Sequence, residues 1–344
     1  MPDFGYNKGY ERTYVTKEER NMPGFTTHYL FGSDTYRSLK CTPLKRNLYY
    51  NRAAYALGLQ GPDIFFYYLP SYAIHGSNIG ALAHCKRSGE FYHNLIESRN
   101  QFVSSSDRKI CDAYLIGFLG HYTLDTICHP YIYARTNYTG NKKDYFGKHA
   151  YLEVDIDSAL LYSKLHKLPS EFHQANTIIL SPRQRHVVAR MLYFAYKRTY
   201  PEYKIRLSTM ILGIYSMQIG LRLLHDATGQ KKVAARFIEG KLLGFPNFSP
   251  LVPSDTLQFC KDPFNMKHDV WRNPWNPELI SEETFFDLYE KAVVLYRKRI
   301  HLLNAYLRCP DESDCAQRNL QAFLSDYGDL SFHSGLPIKN TPDF

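Results

Sequence analysis

The sequence lacks several features that mark common classes of protein. It has no uninterrupted run of the roughly 18 apolar residues that a membrane-spanning helix needs. The closest stretch, 210–224, is broken by Gln218 and Arg222 and predicts a buried helix, so we expect no transmembrane segment. The first residues, Met1 to Gly5, show no charged segment followed by an apolar one, so we expect no signal peptide.

Paired cysteines and blocks of basic residues are also absent. The seven cysteines are odd in number and irregularly spaced, which predicts free thiols in a reducing compartment and therefore a cytoplasmic protein. The formal net charge of +9 is spread along the chain, which argues against a dedicated nucleic-acid-binding arm. This charge favours anionic partners such as phosphodiesters, nucleic acid or acidic lipid surfaces, or it serves solubility alone.

No useful length of strand-like alternation and no internal repeat is found, so we predict an all-α fold. Apolar spacing predicts a helix after His28 and further helices at 44–57, 77–96, 107–129, 147–165, 181–198, 202–225, 233–243, 281–307 and 312–327. Residues 1–243 are predicted to form one helical domain. Residues 244–344 are predicted to form a long loop, at 244–277, and C-terminal helices that pack on the same core.

Two of the predicted helices carry ionisable side chains at a regular spacing. His121, Asp125 and His129 follow one another at steps of four, and His149 and Glu153 repeat this step after a polar loop. Residues four apart lie on one face of a helix, and ionisable groups on so apolar a helix are costly unless paired or coordinated. The pattern predicts a multi-metal site between two facing helices. The alternative is a core histidine bonded to the aspartate, with His149 and Glu153 as a surface pair.

Three upstream residues extend this pattern. His28 lies in Thr-Thr-His-Tyr-Leu-Phe-Gly, Asp63 in Gly-Pro-Asp-Ile-Phe-Phe-Tyr-Tyr, and His84 in Gly-Ala-Leu-Ala-His. Together with the two helical motifs, they resemble the bacterial zinc-dependent phospholipase C family over roughly residues 25–160. The same metal pattern is more distantly similar to the single-strand-specific nucleases of plants and fungi. The resemblance implies a phospholipase C-like helical bundle with a metal site between helices, plus a C-terminal helical extension.

The resemblance implies a set of ligands for each of two metals. The first set is His84, His121 and Asp125. The second set is His129, His149 and Glu153. His93 lies roughly opposite His84 on the same predicted helix, and the family pattern selects His84. Imidazole and carboxylate donors suit zinc and also suit iron or manganese, and two zinc ions are expected.

A third metal of the family has an incomplete set of ligands in this sequence. The resemblance implies His28 and a bridging Asp125, together with the amine and carbonyl of an N-terminal tryptophan. Position 1 is Met, so this third site is expected to be empty or completed by another group such as His75.

The resemblance also implies that Asp63 is the general base that activates water. The alternative is an ordinary turn aspartate after Gly-Pro. The aromatic residues 65–68 are expected to line a substrate pocket or to belong to the core. Ile64 follows Asp63 where the secreted enzymes have an aromatic residue, which weakens the expectation of a choline head group.

The sequence therefore predicts a metal-dependent phosphodiesterase, a hydrolase of the phospholipase C type that attacks a phosphoester with metal-activated water. Its expected partner is a phosphodiester substrate, including phospholipid at a membrane surface. One alternative is a nuclease or nucleotide phosphodiesterase that uses the same site, with nucleic acid as substrate. The other is a metal-stabilised binding protein without catalysis.

Overall fold

Helices account for nearly all of the regular structure of the protein. The computed structural model describes residues 24–40, 42–75, 78–140, 145–246 and 248–338. Its α-helices are α1 (Phe25–Ser38), α2 (Pro43–Tyr50), α3 (Arg52–Gly58), α4 (Pro70–His75), α5 (Ile79–Cys85), α6 (Ser88–Glu97), α7 (Ser105–Arg135), α8 (Tyr145–Leu165), α9 (Pro182–Thr199), α10 (Leu207–Leu224), α11 (Gln230–Leu242), α12 (Phe285–Leu307) and α13 (Asp314–Tyr327). The predicted all-α fold is confirmed.

The structure also contains one short β-hairpin among the described residues. Strands β1 (Trp271–Asn273) and β2 (Asn276–Ser281) pair antiparallel, with Trp271 opposite Ser281. The hairpin begins inside the predicted loop 244–277. Three paired residues are too few to produce an alternating pattern, so the hairpin was not predicted from the sequence.

The longest helix, α7, is the centre around which the others pack. Its side chains from Ile110 to Tyr133 are buried with few exceptions, as expected for a helix that is apolar on all sides. It contacts α1, α3, α9 and α12, so helices from both ends of the described chain share one core with it. The division into two units at residue 243 stays a prediction.

Pro130 does not end α7, contrary to the predicted helix end after His129. The helix continues to Arg135, although proline cannot donate a hydrogen bond to the carbonyl of Thr126. The C-terminal part of the chain approaches this carbonyl at Gly335. A β-carbon at Gly335 would lie 2.4 Å from the Thr126 oxygen, and its φ is +66°, so glycine is required there. Tertiary packing around the proline therefore outweighs its helix-breaking tendency.

The helices α3 and α7 approach so closely that two facing positions require glycine. A β-carbon on Gly58 would lie 2.4 Å from the carbonyl oxygen of Tyr114, and one on Gly117 would lie 2.2 Å from that of Tyr55. Gly117 lies one helical turn before His121. This backbone contact therefore holds the 3₁₀ turn Gly61–Phe65, which follows α3, against the part of α7 that carries the predicted ligands.

A disulfide bond joins Cys309 to Cys315, between the end of α12 and the start of α13. The prediction that the cysteines are free thiols is therefore wrong for this pair. The spacing of cysteines in a sequence does not show which of them the fold brings together. Cys111 and Cys128 are thiols buried in the core. The cytoplasmic location stays a prediction.

The helix α10 is buried on one face only. Within the described ranges it is the one helix that is long and apolar enough to cross a membrane by length and composition. Its inner face, which includes Met210, Ile214 and Met217, belongs to the core. Its outer face carries Leu212 and Leu223, which are exposed. The prediction of a buried helix at 210–224 therefore holds for the inner face of α10 and not for its outer face.

The close approach of α3 and α7 gives a first test. Gly117→Ala should lower the free energy of unfolding by about 1–3 kcal/mol, because its new methyl group would overlap the backbone of α3. Gly240→Ala is the matched control on α11, where an added β-carbon meets nothing within 4 Å. The control should be neutral or up to about 1 kcal/mol more stable. Urea unfolding followed by circular dichroism measures both, and equal effects would contradict this packing.

Candidate metal centre

The helices α7 and α8 turn their ionisable side chains into the interior. The side chains of His121, Asp125 and His129 on α7 and of His149 and Glu153 on α8 are all buried. Across the two helices, Nε2 of His129 lies 3.4 Å from Oε1 of Glu153. Nε2 of His149 lies 2.9 Å from the same oxygen. The alternative of a surface pair at His149 and Glu153 is therefore wrong.

His28 reaches the same point from α1. Asp157 on α8 accepts hydrogen bonds from the backbone amides of Thr26 and Thr27 at 2.9 and 2.7 Å. These are amides of the first turn of α1, where the helix itself supplies no acceptor. The carboxylate of Asp157 therefore fixes the start of α1 against α8. Nε2 of His28, one residue later, lies 3.1 Å from Oδ1 of Asp125.

Asp63 and His84 reach the same point from two further elements, the 3₁₀ turn Gly61–Phe65 and α5. Asn78 ties these two elements together, because its side chain donates to the carbonyl of Phe65 at 2.8 Å and accepts from the amide of Gly80 at 2.8 Å. Nε2 of His84 lies 3.1 Å from Oδ1 of Asp63. His93 lies on α6, partly exposed and 3.5 Å from Glu97, away from this point.

Eight buried side chains therefore converge, and we refer to them as the ligand cluster. Its members are His28, Asp63, His84, His121, Asp125, His129, His149 and Glu153. They form three groups in which the potential ligand atoms lie within 4.8 Å of one another. The groups are His28–His121–Asp125, Asp63–His84–His121 and His129–His149–Glu153.

The group His129–His149–Glu153 is the same as the second ligand set that the resemblance implied. The first implied set joined His84 to His121 and Asp125, whereas the structure groups His84 with His121 and Asp63. Nε2 of His84 lies 4.0 Å from Oδ2 of Asp125 but only 3.1 Å from Oδ1 of Asp63. Nε2 of His121 lies 3.6 Å from Oδ2 of Asp63. Asp63, for which the resemblance implied a general base, is thus itself within reach of a metal held by His84 and His121.

Only some of the residues expected to hold a third metal are among the described residues. His28, His121 and Asp125 form one of the three groups. Residue 1 and the side chain of His75, the candidates for completing this site, lie outside the described residues.

The spacing of the donor atoms fits bound zinc. Two ligands of one tetrahedral zinc ion lie about 3.3 Å apart, because each bond to nitrogen or oxygen is about 2.0–2.1 Å long. The shortest nitrogen–oxygen separation in the ligand cluster is 2.9 Å, between His149 and Glu153. The separation between His129 and Asp125 is 3.7 Å.

Unsatisfied polar atoms in the cluster indicate the same ions. Within the described part of the chain, several buried atoms have no hydrogen-bond partner. They include His28 Nδ1, both carboxylate oxygens of Asp63, His121 Nε2, Asp125 Oδ2, His149 Nε2 and Glu153 Oε2. Protein interiors rarely leave so many polar atoms without a hydrogen bond, and several of these atoms lie instead within 3.1 Å of another potential ligand. The ligand cluster therefore fits two to three zinc ions.

Burial and neighbouring charges shift the pKa values of the cluster residues in different directions. Burial would raise the pKa of Asp125, but the imidazoles of His121 and His129 outweigh it and hold this pKa well below its usual range. Burial lowers the pKa of His121 well below its usual value. Burial acts in the same direction at His129, but Asp125 and Glu153 outweigh it and raise the pKa to about 9. Burial and the charge of Asp125 raise the pKa of Asp63.

A divalent cation would relieve this conflict, because it favours the deprotonated form of every donor. Without the cation, a neutral His121, a charged His129 and the carboxyl groups of Asp63, Asp125 and Glu153 share one buried volume. With the cation bound, every donor can be deprotonated at the atom that binds it. The arrangement of charges thus agrees with the spacing of the atoms.

One side of the site was not predicted from the sequence and is formed by the C-terminal segment (residues 330–338). Nδ1 of His129 lies 2.8 Å from the carbonyl oxygen of Phe332. A carbonyl can only accept, so Nδ1 carries a proton, and Nε2, which faces Asp125 and Glu153, is the nitrogen that would bind a metal. The ring of Phe332 lies 4.8 Å from that of His84. The C-terminal segment therefore orients one ligand and covers another.

His333 in the same segment also faces the ligand cluster. Its ring lies 5.7 Å from that of His84 and 5.9 Å from that of His129, and its Nδ1 lies 2.8 Å from the hydroxyl of Tyr133. Burial and the neighbouring His84 keep the pKa of His333 well below its usual value. It follows the helical motifs by about 200 residues and lies in no helical pattern, so no spacing in the sequence linked it to them.

Comparison with protein families adds an independent observation to this geometry. The family described as zinc dependent phospholipase C matches residues 27–208, which is more than half of the 344 residues. The chain belongs to this family. Comparisons with curated proteins and with solved structures gave no match.

The match to the zinc-dependent phospholipase C family contains the whole ligand cluster. It ends before α11, the hairpin, α12 and the C-terminal segment. Phe332 and His333 therefore belong to a part of the chain that the family match does not cover. Membership confirms the resemblance seen in the sequence, and the side of the site formed by residues 330–338 lies outside the matched range.

The shared position of Asp125 gives a second test. Nitrogen atoms of His28, His121 and His129 lie 3.1–3.7 Å from its oxygens, so Asp125→Asn should remove at least one bound zinc ion per chain and lower the melting temperature. His93→Asn, outside the cluster, should leave both values unchanged. Elemental analysis of the two purified variants measures the difference. An Asp125→Asn protein with the full zinc content would show that Asp125 is not a ligand.

Proposed function

We propose that this protein is a metal-dependent phosphodiesterase that hydrolyses a phosphoester in the manner of a phospholipase C. The observation that carries the proposal is the ligand cluster, in which eight buried donors of the right chemistry lie at zinc-like separations. Membership of the zinc-dependent phospholipase C family supports it. When bound, zinc lowers the pKa of water and neutralises the charge of phosphate oxygens.

The protein's own residues supply position and proton transfer. His129 is held by the carbonyl of Phe332, and His84 is held by the carbonyl of Gly80 2.8 Å from its Nδ1. Such outer contacts fix ring orientation and tautomer. Asp63 is the proposed group that accepts a proton from the attacking water. Its position beside His84 and His121 also makes it a proposed ligand.

The nuclease and the non-catalytic alternatives make different predictions for the same protein. A nuclease should cleave single-stranded nucleic acid faster than a phosphocholine ester. A metal-stabilised binding protein should lose thermal stability on chelation but show no metal-dependent turnover on either substrate. The zinc-loaded protein assayed on both substrates therefore separates the three functions.

The role of Asp63 gives a third test. Asp63→Asn should lower kcat on a soluble phosphodiester at least about 100-fold, because amide nitrogen and oxygen cannot accept the proton that the carboxylate accepts. Asp269→Asn is a matched control at an exposed aspartate and should keep normal turnover. Zinc content, measured on the same samples, shows whether Asp63 is a base alone or also a ligand. Normal turnover by Asp63→Asn would refute its catalytic role.

A further inference from the structure

The helix α11 buries polar side chains and exposes apolar ones, which is the reverse of an ordinary surface helix. Its buried side chains are polar: Lys232 donates to the carbonyl of Val252 at 2.7 Å, and Glu239 accepts from the amide of Ser249 at 3.1 Å. Its outward side chains include Val233, Phe237, Ile238 and Leu242, which are 53–77% exposed. A helix that packs through polar groups and presents apolar ones to solvent indicates an apolar partner.

The outward apolar residues of α11 form two adjacent rows. Val233 and Phe237 are four residues apart, and so are Ile238 and Leu242, so each pair follows one face of the helix. Lys241 continues the first row, with its ammonium group 4.3 Å from the centre of the Phe237 ring. A lysine lying along an apolar face in this way can extend its charge beyond that face.

The exposed face of α10 continues this surface. Ile219 and Leu223 are exposed near the end of α10. The side chain of Lys231, at the start of α11, donates to the carbonyls of Leu223 and His225 at 3.3 and 2.6 Å. The end of α10 and the start of α11 are therefore tied together. We refer to the exposed apolar residues of these two helices as the apolar surface.

A cavity of about 370 Å³ opens beside this surface. Leu69, Ile219, Leu223 and Phe248 are among its lining residues, and Phe66 and Tyr67 also line it. The ring of Phe66 lies 5.6 Å from that of His84. The cavity thus extends from the apolar surface to Phe66, whose ring is next to the ligand cluster. Its lining is suited to a hydrocarbon chain.

The exposed charged residues of α11 are all basic. Lys231, Arg236 and Lys241 are exposed on α11. Glu239 is its one acidic residue, and it is buried in contact with backbone amides. The chain as a whole carries a net charge of +9. Basic residues around an exposed apolar helix are typical of helices that lie in the surface of an anionic membrane.

We propose that the apolar surface of α10 and α11 docks on the surface of an anionic phospholipid bilayer, with the adjoining cavity receiving a hydrocarbon chain of one lipid. This placement would bring the phosphate group of that lipid toward the ligand cluster, and in this respect it rests on the proposed function. A second copy of the chain is the other possible partner. Charge disfavours it, because two such cationic faces would repel each other.

The experiment is co-sedimentation of the zinc-loaded protein with vesicles of phosphatidylglycerol and phosphatidylcholine, on ice and for a short time. The test variant combines Phe237→Ser with Leu242→Ser. The control combines Val294→Ser with Val103→Ser, at side chains that are 67% and 96% exposed outside the apolar surface. The test variant should bind these vesicles at least about tenfold more weakly, and the control should bind normally. Vesicles of phosphatidylcholine alone should bind wild type less well.

Other results would overturn the proposal. Wild type that does not bind anionic vesicles, or a test variant that binds them as well as wild type, contradicts membrane docking. A wild-type dimer that the test variant converts to monomer, without vesicle binding, assigns the surface to a second copy. Hydrolysis of a short soluble phosphodiester is measured in parallel and should be equal for wild type and test variant. Vesicle binding without any hydrolysis would refute the proposed function and leave the docking surface standing.

Discussion

The structure depends on one unfavourable group of charges that it keeps buried. Oxygens of Asp125 lie within 4.0 Å of imidazole nitrogens from His28, His84, His121 and His129. Burying several ionisable groups is costly unless they are paired or coordinated. The described residues leave many of these polar atoms without a hydrogen bond. The buried charges are therefore explained by a binding site for divalent cations.

The rest of the fold positions this binding site by contacts behind the ligands. Asp157 fixes the start of α1 and so the place of His28, and Asn78 ties α5 to the turn that carries Asp63. The carbonyl of Phe332 fixes the tautomer of His129. Each contact is polar and buried, and those of Asp157 and Phe332 join elements more than 100 residues apart in the chain. Such contacts are how a helical bundle converts separate side chains into a rigid site.

Much of the site was predictable from local spacing, and the rest depended on long-range contacts. The four-residue steps at His121 and His149 and the apolar character of α7 are properties of single helices, and they predicted the facing stripes. His28, Asp63 and His84 needed the resemblance to a family. The continuation of α7 through Pro130 and the contact of Phe332 with His129 depend on residues some 200 positions away. No helical period carries that information.

Membership of the zinc-dependent phospholipase C family and the geometry of the ligand cluster both indicate bound zinc. The most direct test is elemental analysis of the purified full chain, after chelation and after zinc is added back and the excess removed. We expect two to three zinc ions per chain and a higher melting temperature on zinc addition. Less than one zinc ion per chain after this treatment, with an unchanged melting temperature, would contradict it.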